Sequence, residues 1–137
     1  MRILVAYDGS AAGRHALDWA ARLAKENAGS SVGVIGVAAT LEAAPLIADA
    51  VDPGSSVEIH RRDLADAAST LEAAGVRADT TLTVGNPAEE IIAAGDEGDY
   101  DLIVMGSTGA GRAVRFLIGS VSDRVVRHAN RPVMVVR

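Results

Sequence analysis

Five short runs rich in apolar and β-branched residues, Arg2 to Tyr7, Ser31 to Ala38, Ala78 to Val84, Asp101 to Gly106 and Pro132 to Arg137, alternate with stretches whose apolar residues recur at helical spacing. Most of these runs lack the apolar and polar alternation of a half-solvated strand, so they read as strands covered on both faces, a property of parallel sheets. Between them, residues 11 to about 27 place Ala16, Leu17, Ala20, Leu23 and Ala24 on one helical face before Ala28-Gly29-Ser30 ends the run. Residues 57 to 74, with Leu64, Ala68, Leu71 and Glu72, read as a second helix closed by Gly75. Asn86-Pro87-Ala88-Glu89 opens a third, with Asn86 as cap and Pro87 in the first turn. Residues 120 to 130 form the last helix, and residues 39 to 56, with Pro45, Pro53 and Gly54, permit either a short helix or an ordered loop. Strand and helix alternating throughout predict an α/β fold: a single doubly wound, five-stranded parallel sheet, Rossmann-like, with helices on both faces and right-handed crossovers.

At 137 residues the chain is expected to be one domain. It has no cysteine, which excludes a disulfide framework, thiolate metal sites and thiol nucleophiles. A net charge of −5 argues against general nucleic-acid binding, which needs a basic face. No apolar run approaches the roughly 18 to 20 residues that span a bilayer, so no membrane association is expected. The sequence enters a strand directly at its start, and the expectation is a soluble, uncleaved, cytoplasmic protein.

The residues most suggestive of chemistry are Gly106-Ser-Thr-Gly109-Ala-Gly-Arg112-Ala-Val-Arg115-Phe-Leu-Ile-Gly119-Ser120, between a strand and a helix. Glycines let backbone approach an anion closely, two arginines lie in the loop, and Gly119-Ser120 opens a helix whose first N–H groups lack intrahelical partners. A phosphate cradle is the reading. In a doubly wound sheet it would converge with the Asp8-Gly9-Ser10 turn at the carboxyl ends of the strands. The single lysine, Lys25, falls in the first helix, so the Gly-x4-Gly-Lys-Ser/Thr phosphate loop is absent; the first turn is not Gly-x-Gly-x-x-Gly either. Asp8 suits a ribose hydroxyl, a phosphate-borne metal ion or a turn, and Ser10 suits a helix cap. His15, His60 and His128 have no metal-ligand spacing and are expected at the surface or at helix ends. Trp19 is expected to pack the first helix onto the sheet, and Arg124 and Arg127 to lie on the surface.

Three segments together resemble the universal stress protein family: Val5-Ala-Tyr-Asp8-Gly-Ser10, Asp101-Leu-Ile-Val-Met-Gly106, and Gly119-Ser-Val-Ser-Asp-Arg-Val-Val-Arg-His128-Ala-Asn-Arg-Pro132-Val-Met-Val-Val. Gly106, Gly109, Gly119 and Ser120 match the spacing Gly-x2-Gly-x9-Gly-Ser/Thr of its nucleotide-binding members. The resemblance implies a small cytoplasmic ATP-binding protein of the stress response, usually dimeric. It places Ala6, Asp8, Val37 and Met105 at the adenosine end, and Gly106, Gly109, Gly119, Ser120 and Val121 around ribose and phosphates, with Arg112 as a further phosphate contact. Mg²⁺ or Mn²⁺ would arrive held by the phosphates. It implies a homodimer through the last strand, Pro132 to Arg137, and an unspecified protein partner.

Two other functions remain open at this level. One is a slow ATPase or phosphotransferase, for which Asp8 is the one candidate base and no catalytic set is legible. The other is a nucleotide-free member working through dimer or partner surfaces. The intact glycine spacing favours a nucleotide-dependent regulatory binding module, with hydrolysis slow at most.

Overall fold

Seven successive residues, Val32 to Ala38, are buried, as a strand covered on both faces requires. The computed structural model describes residues 1–40, 53–108 and 118–137. These form strands β1 (Arg2–Ala6), β2 (Ser31–Ala39), β3 (Ala78–Gly85), β4 (Leu102–Gly106) and β5 (Val133–Val136), with helices α1 (Ala11–Glu26), α2 (Pro53–Ala73), α3 (Pro87–Glu97) and α4 (Ser120–His128). The strands make one parallel sheet in the order β3-β2-β1-β4-β5. Val5 of β1 is paired with Val34 on one side and Val104 on the other. The expected α/β, Rossmann-like architecture is therefore present.

Alternation of side chains along each strand divides the core between two layers. Ile3, Val5 and Tyr7 pack with Leu17 of α1 and Leu64 and Leu71 of α2. Leu4, Ile35 and Met105 pack on the opposite face with Ile91 of α3 and Val125 of α4. Each fully buried aliphatic side chain stabilises this sandwich by about 1.5–3 kcal/mol, far more than a helix cap, so burial on both faces fixes the helix positions and caps only trim their ends. Two caps are as expected. The Ser10 hydroxyl accepts the Gly13 N–H at 3.0 Å, and the Asn86 side chain accepts the Glu89 N–H at 3.3 Å, with Pro87 in the first turn of α3.

Several sequence expectations shift. Helix α2 begins at Pro53 rather than near Val57, and its buried face is Leu64, Ala67 and Leu71, with Glu72 exposed. The apolar positions 64, 67 and 71 keep the helical period, whereas Glu72 was one position out of phase. Trp19 is 45% exposed instead of packed on the sheet, and the Arg22 guanidinium lies 5.4 Å from its ring centroid. Helix α4 stops at His128 because Ala129 is already extended, with φ −68° and ψ 139°. Arg124 and Arg127 are exposed as expected and pair with Glu89 and Asp123. Residues 41–52 of the ambiguous stretch and residues 109–117 of the glycine loop lie outside the described residues, and with them Gly109, Arg112 and Arg115.

Candidate functional site

The chain runs outward from β1 through β2 to β3, then returns to the other side of β1 as β4. A crevice therefore opens beyond the carboxyl ends of β1 and β4, at Ala6 and Gly106. On the β1 side the turn Asp8-Gly9-Ser10 starts α1. The Asp8 carboxylate accepts the Ser10 N–H at 3.0 Å, and Gly9 has φ +77°, a conformation that favours glycine. Behind this turn the Tyr7 phenol is held above its ordinary pKa, chiefly by burial; a hydrogen bond from Arg14 works against that shift, and Asp63 and Asp66 add to it. Tyr7 is thus a neutral wall of the crevice.

On the β4 side, a Cβ on Gly106 would lie 2.8 Å from Ala12 Cβ and 2.9 Å from the Ala12 and Gly13 backbone. Packing of the α1 N-terminus against β4 is enough to require glycine there. The chain re-enters at Gly119, whose N–H donates to Ser107 O at 2.6 Å; the buried Ser122 hydroxyl donates to the same oxygen at 2.9 Å. Ser107 N–H in turn donates to Val136 O at 2.6 Å. The two ends of the glycine loop are therefore pinned together, and to β5, whatever lies between them.

Helix α4 differs from α1 and α3 in having no side-chain cap. Its first intrahelical bond is Asp123 N–H to Gly119 O, so the N–H groups of Ser120, Val121 and Ser122 precede the ladder. Gly119 itself has φ −64° and ψ 159°, open to any residue, and among the described residues a Cβ there would meet nothing closer than Ser107 O at 3.3 Å. Neither backbone angle nor a severe packing clash demands its glycine.

These parts line one cleft of about 550 Å³, within the range of small-molecule sites. Of the residues expected from sequence, Ala6, Asp8, Val37, Met105 and Gly106 line it from the sheet ends. Gly119, Ser120 and Val121 line it from the start of α4. Gly109 and Arg112 fall outside the described residues. Ile35, Pro87 and Ile91 give the cleft an apolar flank. Sequence reading missed the α2 side, where Ser56 and His60 face the cleft. His60 was expected at a surface or helix end; the overlooked signal is that it precedes buried Leu64 by four residues, on the same side of α2.

Asp8 is the one acidic lining residue among those described, and no lysine or arginine joins it. No cluster of three or more His, Asp or Glu among the described residues suits a metal ion. A hard cation here would draw its ligands mostly from whatever anion accompanied it, with Asp8 the one carboxylate in the lining. No helix among the described residues is long and apolar enough to cross a membrane.

The model of the universal stress protein family matches residues 1–137. The chain belongs to that family. Universal stress protein YxiE of Bacillus subtilis is 33% identical over 99% of this chain and 98% of its own length. A more local likeness, 44% identity over 63 residues, joins it to universal stress protein MJ0531 of Methanocaldococcus jannaschii, covering 46% of this chain and 37% of that one. Among solved structures, a universal stress protein of Archaeoglobus fulgidus in complex with dAMP superposes with a TM-score of 0.75 and 27% identity, over 100% of this chain and 98% of that one. The fold and family of this universal stress protein are thus those anticipated from its three motif segments.

Proposed function

We propose that this universal stress protein binds ATP in the cleft between β1 and β4 and acts as a nucleotide-dependent regulatory module of the stress response in the cytoplasm. The observation that carries the reading is the junction at Gly119: a helix N-terminus without a side-chain cap opens into a cleft of nucleotide size, behind a glycine that its φ does not require and that meets no contact under 3.3 Å among the described residues. Phosphate oxygens at the N–H groups of Ser120 and Val121 would account for both features, since partial positive charge and unpaired donors collect at that end. Ala6, Asp8, Val37 and Met105 would then hold the adenosine, the apolar flank receiving the base. Gly106 lines the cleft from the end of β4; by the family resemblance Gly109 and Arg112 would add phosphate contacts, and Mg²⁺ or Mn²⁺ would be carried by the phosphates. The Archaeoglobus fulgidus relative in complex with dAMP supports an adenine nucleotide as the class of ligand.

Turnover is slow at most: among the described residues Asp8 is the one carboxylate of the lining, and it already accepts the Ser10 N–H. The assembly is a homodimer of one-domain subunits, joined through Pro132 to Arg137, because β5 ends the sheet and offers its outer backbone edge for pairing. The test is mass spectrometry of nucleotide released on denaturing the purified protein, with calorimetric titration of stripped protein by ATP and Mg²⁺. About one adenine nucleotide per chain is expected. No released nucleotide together with no heat on titration would refute the reading and turn attention to the dimer surface.

A further inference from the structure

Helix α2 carries a polar group that the fold leaves unsatisfied. His60 is half-buried and lines the cleft, with Ser56 one helical turn before it, yet its Nδ1 is sealed from solvent and has no hydrogen-bond partner among the described residues. A neutral imidazole has one N–H and one lone pair. Sealing an N–H without an acceptor is the rarer and costlier arrangement, whereas an under-used lone pair is better tolerated. With the lone pair on the sealed Nδ1, the one N–H of the ring lies on Nε2. What His60 offers an occupant of the cleft is then one N–H donor on a flat ring, in a lining that also includes Val37, Ile91 and Met105.

Resting on the nucleotide reading above, we propose that His60 reads the base, its Nε2–H donating to a ring nitrogen of adenine. A purine presents a flat apolar face with acceptor nitrogens at its rim, which suits a cleft whose apolar wall is joined by a ring N–H donor. Discrimination follows from this tautomer, because a histidine free to exchange its proton would satisfy donor and acceptor bases alike, while this one serves acceptors. His60 lies outside the glycine loop and the β1 turn, so the assignment extends the site to a third element of the fold.

The experiment is calorimetry of the full chain with ATP and with 1-deaza, 3-deaza and 7-deaza ATP, each of which replaces one ring nitrogen by C–H, on wild type, His60→Phe and His60→Gln. One analogue is expected to bind wild type roughly five- to tenfold more weakly than ATP, the worth of a single net hydrogen bond. His60→Phe should weaken ATP to the same degree and show no further loss with that analogue. His60→Gln, which restores a donor, should recover part of the affinity. Removing the orphaned nitrogen should leave the melting temperature of ligand-free His60→Phe level or raised, which a residue needed only for structure would not do. ATP binding with no deaza analogue impaired on wild type overturns the proposal without use of any variant. Losses that add between His60→Phe and every analogue overturn it too. If wild type binds no nucleotide, the nucleotide reading itself has failed and this inference falls with it.

Discussion

Replacing Gly119 by alanine separates ligand from fold at one carbon atom. The backbone at φ −64° and ψ 159° accepts alanine, and the new Cβ would meet Ser107 O at 3.3 Å, Thr108 Cα at 3.5 Å and Ser122 Oγ at 3.7 Å. Among the described residues only the first contact is tight, and it needs a shift of a few tenths of an ångström at an oxygen that two hydrogen bonds hold. Losing a glycine from the unfolded chain stabilises by about 0.4–1 kcal/mol, whereas alanine is a poorer helix cap than glycine by a similar amount. The net change in stability should lie within about 1 kcal/mol of zero, or roughly 4 °C in melting temperature for a chain of this size. The ligand is affected differently. A methyl group at the mouth of α4 holds a phosphate off the Ser120 and Val121 N–H groups, and each charge-assisted hydrogen bond lost costs about 1.5–3 kcal/mol. Loss of one such bond weakens ATP roughly 10- to 150-fold. Thermal melts and ATP calorimetry on the same preparations read the two effects side by side. Affinity within twofold of wild type, with the melting temperature retained, would refute phosphate binding at α4.

Gly106→Ala should behave in the opposite way, because its Cβ must displace Ala12 and Gly13 backbone at 2.8–2.9 Å; a loss of about 1–3 kcal/mol is expected from overpacking, and an unshifted melting curve would contradict it. Ser122→Ala removes the buried hydroxyl donor to Ser107 O, but that oxygen keeps the Gly119 N–H, so urea titration should show a loss of about 0.5–1.5 kcal/mol and no more. Tyr7 has its folded pKa raised above its unfolded value, so the stability it contributes is complete below the ordinary phenol pKa and is lost as pH rises through the folded value. Tyr7→Phe should therefore flatten the decline of melting temperature on the alkaline side; an equally steep decline in the variant would place the titrating group elsewhere. Val135→Pro, on the edge strand β5, should convert a homodimer to monomer in sedimentation, and an unchanged dimer would move the interface off that edge.

Where one physical effect dominated, the sequence was readable. Apolar and β-branched runs identified five parallel strands, and Ser10 and Asn86 announced their helices because a cap is a local matter of one side chain and one N–H. Trp19 misled because size was taken for burial: it lies just beyond the edge of the stripe formed by Ala12, Ala16 and Ala20, where a large ring can lean on Arg22 in solvent. Gly106 was read as a phosphate residue, yet its missing side chain is already demanded by the α1 packing, a long-range contact that no spacing reveals. Gly119 is the reverse case. Its conformation is ordinary, so the glycine is informative only once φ and the neighbours are known.

The pinning of Ser107 to Gly119 and Ser122 bears on what nucleotide occupancy can change. Three backbone and side-chain hydrogen bonds meet at this point, at 2.6, 2.9 and 2.6 Å, and the last joins Ser107 to Val136 of β5. The uncapped N–H groups of α4 start one residue further on, so a phosphate bound there sits within one helical turn of a bond to the edge strand. If β5 pairs with a second subunit, ligand and interface share this junction, and coupling between them needs no long path through the core. Coupling is reciprocal: whatever factor ATP adds to dimer affinity, dimerisation must add to ATP affinity. Sedimentation of wild type and Ser122→Ala across an ATP titration tests this directly. A dimer constant that shifts with ATP in wild type and shifts less in Ser122→Ala is expected, and identical shifts in both would mean that the junction does not carry the signal.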